Sequence, residues 1–230
     1  MLYRWEQDDV AIYRSPQLDA LDIPHGFGTR LGDALAIAKA LNLSDRNWVK
    51  VRQVHGHEVL VNKRTAPDGD RRARCDADAV VLGQSNMVTR ILTADCLPIL
   101  LASTDGKTVA AIHAGWRGLL SGVITEAVDA LASRFVAAIG PCIGVSRFEV
   151  GEEVAERFDP RFVRRDLGSR PHVDLRAAAH EMLHDLGAQS IDTTDRCTAD
   201  HEDEFFSYRR DVTQRQLEST GRMASVIARQ

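Results

Sequence analysis

Two strand-forming segments joined by a turn constrain the fold of this chain more than any other feature. Residues 87–103 (MVTRILTADCLPILLAS) are rich in Ile, Leu, Val and Thr, which favour extended backbone. Asp105-Gly106 is a typical hairpin turn, and 107–116 (KTVAAIHAGW) follows it as another strand. Residues 118–133 then show the apolar spacing of an amphipathic helix, so this part of the chain predicts strands packed against a helix.

Further strands and helices are expected on both sides of this hairpin. Short strands are predicted within 1–30 and at 48–56, 57–63, 77–83, 135–144 and 189–194. Helices are predicted at 33–42, 150–158 and 174–187, and a polar loop at 64–76. Asp174 can cap the last of these helices and Gly187 can end it. Because no repeat or linker interrupts this mixture, we expect one α/β or α+β domain over residues 1–230.

The composition is typical of a folded chain and excludes several classes of function. The 230 residues are 44% hydrophobic and 27% charged, so disorder is not expected. Because 29 basic and 33 acidic residues give a net charge of −4, no nucleic-acid partner is expected. No apolar run reaches the roughly 18 residues of a membrane span, and the first residues lack an apolar signal core. We therefore expect no membrane partner and a cytoplasmic location.

The four cysteines, Cys75, Cys96, Cys142 and Cys197, are sparse and form no C-x-x-C pair. A reducing compartment disfavours disulfides. We therefore interpret these residues as free thiols or as metal ligands.

Three short clusters lie at predicted strand ends and could carry chemistry: 53–57 (QVHGH), 93–98 (TADCLP) and 113–118 (HAGWRG). On a strand, His55 and His57 would share one face because they are two residues apart. Two imidazoles and one thiolate at adjacent strand ends would supply three zinc ligands. The fourth position would remain open for water or substrate, as in a catalytic zinc site.

Each cluster also has a purely structural interpretation. A lone histidine at a strand end is usually a polar residue with a hydrogen-bond partner, and a lone cysteine in an apolar strand is usually a small core residue. Trp116 and Arg117 could simply stack at the surface. Only the combination of the clusters favours a metal site, beside which Asp95 and Arg117 could orient the ligands or bind an anion.

A competing metal motif lies on the helix predicted at 174–187. The segment 180–184 (HEMLH) matches H-E-x-x-H, the signature of zincin metalloproteases. A metzincin would carry its third ligand at position 190, where this chain has Ser190, and Gly187 is explained equally well as a helix C-cap. The alternative is an amphipathic helix whose two histidines, His180 and His184, face solvent.

An ordered set of motifs covers nearly the whole chain: HGFGTR (25–30), QVHG (53–56), DADAVV (76–81), TADCLPILL (93–101), AAIHAGWRGLLSGV (110–123), IGPCIG (139–144), FEVGEEV (148–154), and CT, FFSYRRD and TGR within 197–222. With this set, the chain resembles the purine nucleoside phosphorylase family once named multicopper polyphenol oxidoreductases or laccase-domain proteins. HAGWRG and TADC are the most specific pair.

The resemblance implies a compact α/β fold with layered mixed β-sheets flanked by helices. It implies one Zn²⁺ at the positions matching His55, Cys96 and His113, where Cu²⁺ could also bind in vitro. It further implies phosphorolysis of adenosine, inosine, guanosine and S-methyl-5′-thioadenosine, together with deamination of adenosine. Some bacterial members are linked to editing of peptidoglycan precursors. In the family the 174–187 segment is an ordinary helix, and we expect a monomer or a small homo-oligomer.

The chain departs from the family pattern in three places. Only 22 residues separate Arg30 from Gln53, which is a short connection for the family. Gly28 replaces the second aromatic residue of the first motif, and extra residues lie between Asp211 and Gly221. The choice of nucleoside is therefore left open.

Phosphorolysis needs a site for an anion and a surface for a base. Arg30, Arg117 and Arg209 are candidates to hold phosphate through forked hydrogen bonds. Phe206 or Tyr208 could stack on the purine.

Deamination would use a zinc-activated water and an acidic proton shuttle. Asp95, Asp76 or Asp78 could serve as that shuttle, because no glutamate lies in the three clusters. Gln53 and Asp78 are further candidates for substrate binding. The predicted catalytic set is therefore His55, Cys96, His113 and Asp95.

Besides the H-E-x-x-H metalloprotease, three alternatives remain open at this point. A thiol hydrolase could use Cys96 as nucleophile and His113 as base. A laccase would need several coppers for the four-electron reduction of O₂, and this chain has eight histidines and one His-x-His pair. A non-catalytic role in binding a partner is the third alternative.

Overall fold

Strands and helices alternate along residues 1–62 and 75–229, the parts of the chain that this computed structural model describes. The strands are β1 (Tyr3–Gln7), β2 (Val10–Arg14), β3 (His25–Gly28), β4 (Asn47–Val49), β5 (Val59–Asn62), β6 (Ala79–Leu82), β7 (Met87–Thr93), β8 (Leu97–Ser103), β9 (Val109–Ala114), β10 (Phe135–Ile139), β11 (Val163–Arg164), β12 (His172–Val173), β13 (Ile191–Asp192) and β14 (Met223–Arg229). The α-helices are α1 (Pro16–Asp19), α2 (Ala34–Ala40), α3 (Trp116–Ser121), α4 (Val123–Leu131), α5 (Glu152–Ala155) and α6 (Leu175–Asp185).

These strands form two six-stranded sheets and one two-stranded ribbon. The first sheet has the order β1-β2-β3-β14-β7-β4, and only β4 and β7 pair in parallel. The second has the order β13-β10-β8-β9-β6-β5, with parallel pairs at its two edges. Both sheets are mixed, and helices flank them, so the expected α/β fold class is confirmed.

The alternation of side chains along the strands builds the layers. In β9, Val109 and Ala111 face the core between the two sheets, whereas Ala110 and Ile112 face the core beneath α3, α4 and α6. Helix α2 covers the outer face of the first sheet through Ile37. The order of layers is therefore helix, sheet, sheet, helices.

The predicted central hairpin is present, but the strand expected over 87–103 is two strands. β7 belongs to the first sheet and β8 to the second, and the chain passes between them at residues 94–96. Asp95 has a left-handed backbone there, with φ of 94°. Asp95 and Pro98 interrupt the strand-forming run in the sequence, but the passage of the chain from one sheet to the other is a tertiary feature.

Other predicted elements are shorter or divided. The helix expected at 118–133 is α3 followed by α4, and Gly122, with φ of 92°, separates them. Of the strand expected at 48–56, only β4 forms, and the strand expected at 189–194 is reduced to β13. The polar loop expected at 64–76 lies outside the described residues except for its last two positions.

Two C-terminal elements were not predicted. Strand β14 lies inside the first sheet between β3 and β7. A wide helical turn of the π type spans Arg209–Gln214 within the FFSYRRD region.

The predicted caps of helix α6 are confirmed. The Asp174 side chain accepts a hydrogen bond from the backbone N–H of Ala177 at 2.9 Å. Gly187 has φ of 88° just beyond the last turn. All four cysteines are free thiols. No helix within 1–62 and 75–229 combines the length and apolar character needed to cross a membrane.

His25, in the first family motif, is a fully buried side chain that holds the start of β3. Its Nδ1 donates to the Ile23 carbonyl and its Nε2 accepts from the Ser15 N–H, both at 2.7 Å. Burial, aided by the cation of Arg14, lowers the pKa of His25 to about 4, although the Ile23 carbonyl and Asp19 oppose this shift. The native state therefore holds a neutral imidazole.

Acidification should remove stability that depends on His25. The unfolded chain protonates this residue below about pH 6.5, whereas the folded chain does so only near pH 4. The free energy of unfolding should therefore fall by about 3 kcal/mol between these pH values. Denaturant unfolding from pH 7 to 4 tests this: the advantage of wild type over His25→Asn should shrink by that amount. A constant difference would contradict the assignment, and exposed His184→Asn should change nothing.

Candidate metal centre

Three side chains from separate parts of the chain converge at one end of the second sheet. The ligand atoms of His55, Cys96 and His113 all lie within 4.8 Å of one another. Strand register explains part of this, because Pro98 in β8 lies opposite His113 in β9. Cys96, two residues before Pro98, is therefore held beside the end of β9.

His55 reaches the cluster from a tight turn and not from the predicted strand. Its φ is 61°, and the backbone N–H groups of Val54, His55 and Gly56 donate to the Asp78 carboxylate at 3.1, 3.0 and 2.7 Å. The expectation that His55 and His57 share a strand face is therefore wrong. Three converging N–H groups bind a carboxylate well, which compensates the left-handed backbone.

Asp78 also fixes the orientation of His113. Nδ1 of His113 donates to Asp78 Oδ1 at 2.7 Å, so its Nε2 presents a lone pair for a metal. Burial alone would raise the pKa of Asp78, but hydrogen bonds from His113, Gly56 and Val54 lower it overall. One buried carboxylate thus positions two of the three candidate ligands.

The remaining ligand is a thiol in an environment that disfavours its free anion. Burial, reinforced by the charge of Asp95, raises the pKa of Cys96 to about 12. A neutral thiol is a poor nucleophile, which argues against the thiol hydrolase. A bound divalent cation would instead favour the thiolate directly. Burial and the neighbouring His113 lower the pKa of His55, which keeps its imidazole neutral as a ligand must be.

The space between the ligands fits a small ion. A Cβ placed on Gly115 would lie 2.9 Å from His55 Nδ1 and 3.1 Å from Cys96 Sγ, so the glycine keeps this gap open. Two imidazoles and one thiolate suit zinc, and they can also bind copper. Among residues 1–62 and 75–229 this is the one group of three such donors.

The cluster lines a cavity of about 480 Å³. Its other lining residues are Leu92, Thr93, Ala94, Asp95, Trp116, Arg117, Ile143, Phe148, Tyr208, Arg209, Thr213, Thr220 and Arg222. Arg117 stacks on Trp116 at 4.3 Å from the ring centroid. Neither Arg117 nor Arg222 forms a hydrogen bond or ion pair with a described residue, and both are exposed. The cavity therefore offers two unpaired guanidinium groups beside the candidate ligands.

Asp95 and Arg209 lie in the cavity wall but already have partners. Asp95 Oδ1 accepts from the Thr198 hydroxyl at 2.6 Å, and its Oδ2 accepts from the backbone N–H of Arg209 at 2.7 Å. The Arg209 guanidinium donates to the carbonyls of Arg147 and Glu149 at 3.3 and 2.8 Å. The Arg209 guanidinium therefore has fewer free N–H donors for an anion than the Arg117 guanidinium.

Five predicted site residues lie outside the cavity lining: Arg30, Gln53, Asp76, Asp78 and Phe206. Arg30 stacks on Phe206 at 4.7 Å and donates to the Glu202 carbonyl at 2.6 Å. Gln53 bonds both the N–H and the carbonyl of Leu92 at 2.8 Å. Asp78 orients His113 as described above. The shuttle candidate Asp76 is also elsewhere, in a two-bond pair with Arg52 at 2.5 Å.

The H-E-x-x-H segment contributes no ligand group. His180 and His184 on α6 are exposed, and Glu181 pairs with Arg161 at 2.7 Å. No third donor joins them among the described residues. The helix with solvent-facing histidines is the interpretation that the structure supports.

Several lining residues received no role from the sequence. Arg222 and Thr220 stand in the TGR motif, and Phe148 opens the FEVGEEV motif. Their place in these motifs is the sequence signal that could have indicated a role in the site. Arg222 and Cys96 are more than 100 residues apart in the chain, so no local pattern indicates that they line the same cavity.

Comparison with known proteins shows the family of the chain. A family model described as multi-copper polyphenol oxidoreductase laccase matches residues 33–230. The chain is 41% identical over 189 residues to a protein named purine nucleoside phosphorylase YfiH from Escherichia coli (strain K12), covering 78% of this chain and 72% of the relative. A protein named purine nucleoside phosphorylase from Deinococcus radiodurans is 31% identical over 251 aligned positions, covering 95% of this chain and 92% of the relative.

Solved structures show the same fold. YlmD from Geobacillus stearothermophilus superposes with a TM-score of 0.83 at 23% identity, over 99% of this chain and 98% of that one. Protein NMB0706 from Neisseria meningitidis gives a TM-score of 0.75 at 28% identity, over 99% and 98% of the two chains.

Proposed function

We propose that this chain, which belongs to the multi-copper polyphenol oxidoreductase laccase family, is a zinc-dependent purine nucleoside phosphorylase. The observation that carries the proposal is one cavity in which three metal-ligating side chains face two unpaired arginines. The names of its relatives support a transfer of the pentosyl group from a purine to phosphate. Adenosine, inosine, guanosine and S-methyl-5′-thioadenosine are the proposed substrates.

His55, Cys96 and His113 would hold the ion, with Asp78 fixing two of them. A bound Zn²⁺ would supply a Lewis acid and would lower the pKa of a coordinated water. Asp78 keeps the proton of His113 on Nδ1, so the lone pair on Nε2 stays directed into the cluster.

Phosphate binding falls to Arg117 and Arg222. Their guanidinium groups have no hydrogen-bond or ion-pair partner among the described residues, and both line the cavity beside the candidate ligands. Forked hydrogen bonds would place a phosphate oxygen beside C1′ of the nucleoside. The C1′–N9 bond breaks as the new C1′–O bond forms, and the base leaves with the bonding electrons.

We assign binding of the purine to Tyr208. Tyr208 is 56% exposed and lines the cavity, so its ring is free to stack on a base. Phe206 is already covered by Arg30. We therefore favour Tyr208 of the two aromatic candidates.

Deamination of adenosine is proposed as a second activity of the same site. Of the three aspartates considered as proton shuttle among the described residues, only Asp95 lines the cavity. Asp76 lies elsewhere and pairs with Arg52, and Asp78 bonds His113. Asp95 would move the proton between the attacking water and the leaving ammonia.

The metal-ligating groups of the described residues do not favour the laccase alternative. Four-electron reduction of O₂ needs several coppers close together. The described residues contain one three-donor group, which holds one ion. We propose a cytoplasmic enzyme whose partners are nucleosides and phosphate, acting as a monomer or a small homo-oligomer.

The proposal is tested by incubating the zinc-loaded protein with inosine, with and without inorganic phosphate. Release of hypoxanthine together with equimolar ribose 1-phosphate, only when phosphate is present, is expected. Base release that ignores phosphate would indicate a hydrolase and contradict the proposal. Adenosine assayed in parallel reports deamination as inosine formed without phosphate.

Removing one guanidinium should affect phosphate more than nucleoside. Arg117→Ala should raise the KM for phosphate by about 10–100-fold, since a charge-assisted hydrogen bond contributes about 1.5–3 kcal/mol. The KM for inosine should change little. Arg164→Ala, an exposed arginine paired with Asp166 outside the cavity, is the matched control. An unchanged KM for phosphate in Arg117→Ala would remove this residue from the site.

A further inference from the structure

A buried chain of hydrogen bonds runs behind the cavity wall, and Thr198 lies at its centre. The Thr198 side chain is fully buried, and its hydroxyl donates to Asp95 Oδ1 at 2.6 Å. The other oxygen of Asp95 accepts the backbone N–H of Arg209 at 2.7 Å. Thr198 belongs to the CT motif, to which the mechanism above gives no role.

The chain continues from Thr198 to the far side of the cavity. The Thr198 carbonyl accepts from Arg210 Nη1 at 3.0 Å, and Arg210 Nε donates to Asp211 Oδ1 at 2.8 Å. Asp211 Oδ2 accepts from the Thr220 hydroxyl at 2.5 Å. Thr220 lines the cavity two residues before Arg222.

These bonds join two segments that lie outside the strands. One is the turn at 94–96, which carries Cys96. The other is the segment 204–222, which carries Tyr208 and the two arginines Arg209 and Arg222, and which contains no strand. The pairing of Thr93 with Met223 holds only the ends of the two segments that border on it. Arg210 and Asp211 are 4% and 7% exposed, so this connection is internal and shielded from competing water.

We propose that Thr198 is a positioning residue that holds the anion-binding side of the cavity over the metal-binding side. The inference rests on the proposed function, because it assigns the 204–222 segment to substrate binding. Thr198 does not line the cavity and contacts none of the three candidate ligands. It acts through Asp95 on the backbone of Arg209, and through Arg210 and Asp211 on Thr220.

Thr198→Val removes the hydroxyl donor at nearly constant volume, and Thr198→Ser retains it. In the zinc-loaded Val variant, the KM for phosphate should rise about tenfold with kcat within about threefold of wild type, as expected for one lost hydrogen bond to a charged group. Hydrogen exchange of the peptide containing the Arg209 amide should accelerate about tenfold. Zinc content should be unchanged, and Thr198→Ser should restore the wild-type KM for phosphate and the wild-type exchange rate.

Thr194→Val is the matched control, because Thr194 is also buried but its hydroxyl accepts from the Arg196 N–H and donates to no described carboxylate. Wild-type values of both exchange and KM in Thr198→Val would overturn the proposal. If the Val variant fails to fold, Thr220→Val breaks the other end of the network. It should weaken phosphate binding similarly, and unchanged binding would count against the network.

Calorimetric titration of inorganic phosphate separates this inference from the proposed function. Absence of base release by wild type would refute the phosphorylase. Weaker phosphate binding by Thr198→Val than by wild type would still support the role of Thr198, and equal binding would overturn it.

Discussion

Cys96→Ala and His113→Ala should each lose stoichiometric metal and, with it, phosphate-dependent release of base by about 10³-fold or more. The reason is that two protein ligands hold a divalent ion poorly. The loss removes several kcal/mol of Lewis-acid stabilisation, and each 1.36 kcal/mol corresponds to a factor of ten in rate. Metal analysis and turnover of inosine, measured on the same purified samples, check the prediction.

The cysteine control is Cys75→Ala, which removes a free thiol that lies outside the cavity. It should keep both metal and activity. Full zinc and full rate in both ligand variants would reject the assigned site. Zinc retained without activity would separate the metal from the reaction.

Asp78→Asn is expected to have the second largest effect. The carboxylate accepts four hydrogen bonds, from His113 Nδ1 and from the N–H groups of Val54, His55 and Gly56. An amide has one acceptor oxygen and would turn its own donors toward these N–H groups. Unsatisfied buried donors cost about 1–3 kcal/mol each, so we expect a loss of stability of about 3 kcal/mol.

The same substitution should weaken zinc binding by about 10–100-fold, the usual effect of losing a residue that orients a ligand. Competition with a chromophoric chelator measures the affinity, and denaturant unfolding measures the stability. Asp76→Asn is the control, because Asp76 is exposed and its carboxylate bonds Arg52 and no ligand residue among the described residues. Unchanged zinc affinity in Asp78→Asn would mean that the carboxylate does not position the ligands.

Local signals in the sequence indicate three clusters that could supply metal ligands, and the family resemblance assigns His55, Cys96 and His113 within them. Their convergence depends on the β8–β9 register and on the Asp78 carboxylate. Both are tertiary features, which sequence spacing does not contain.

Long-range packing also explains the features of the fold and of the cavity that the sequence pattern does not indicate. Strand-forming residues lie on both sides of Asp95, and at Asp95 the backbone is left-handed and the side chain is held by Thr198 and by the Arg209 N–H. Arg30 carries the right chemistry for phosphate, but the fold places it against Phe206. Arg222 and Thr198 act across more than 100 residues of chain, where no local pattern applies.

The most direct test of the central claim is reconstitution of the wild-type protein. Metal is removed with a chelator, and zinc is added back stepwise while ribose 1-phosphate formed from inosine and phosphate is measured. We predict activity that rises in proportion to zinc and reaches its plateau at about one ion per chain. Full activity in the metal-free protein, or a plateau only at several ions per chain, would contradict the single metal centre of His55, Cys96 and His113.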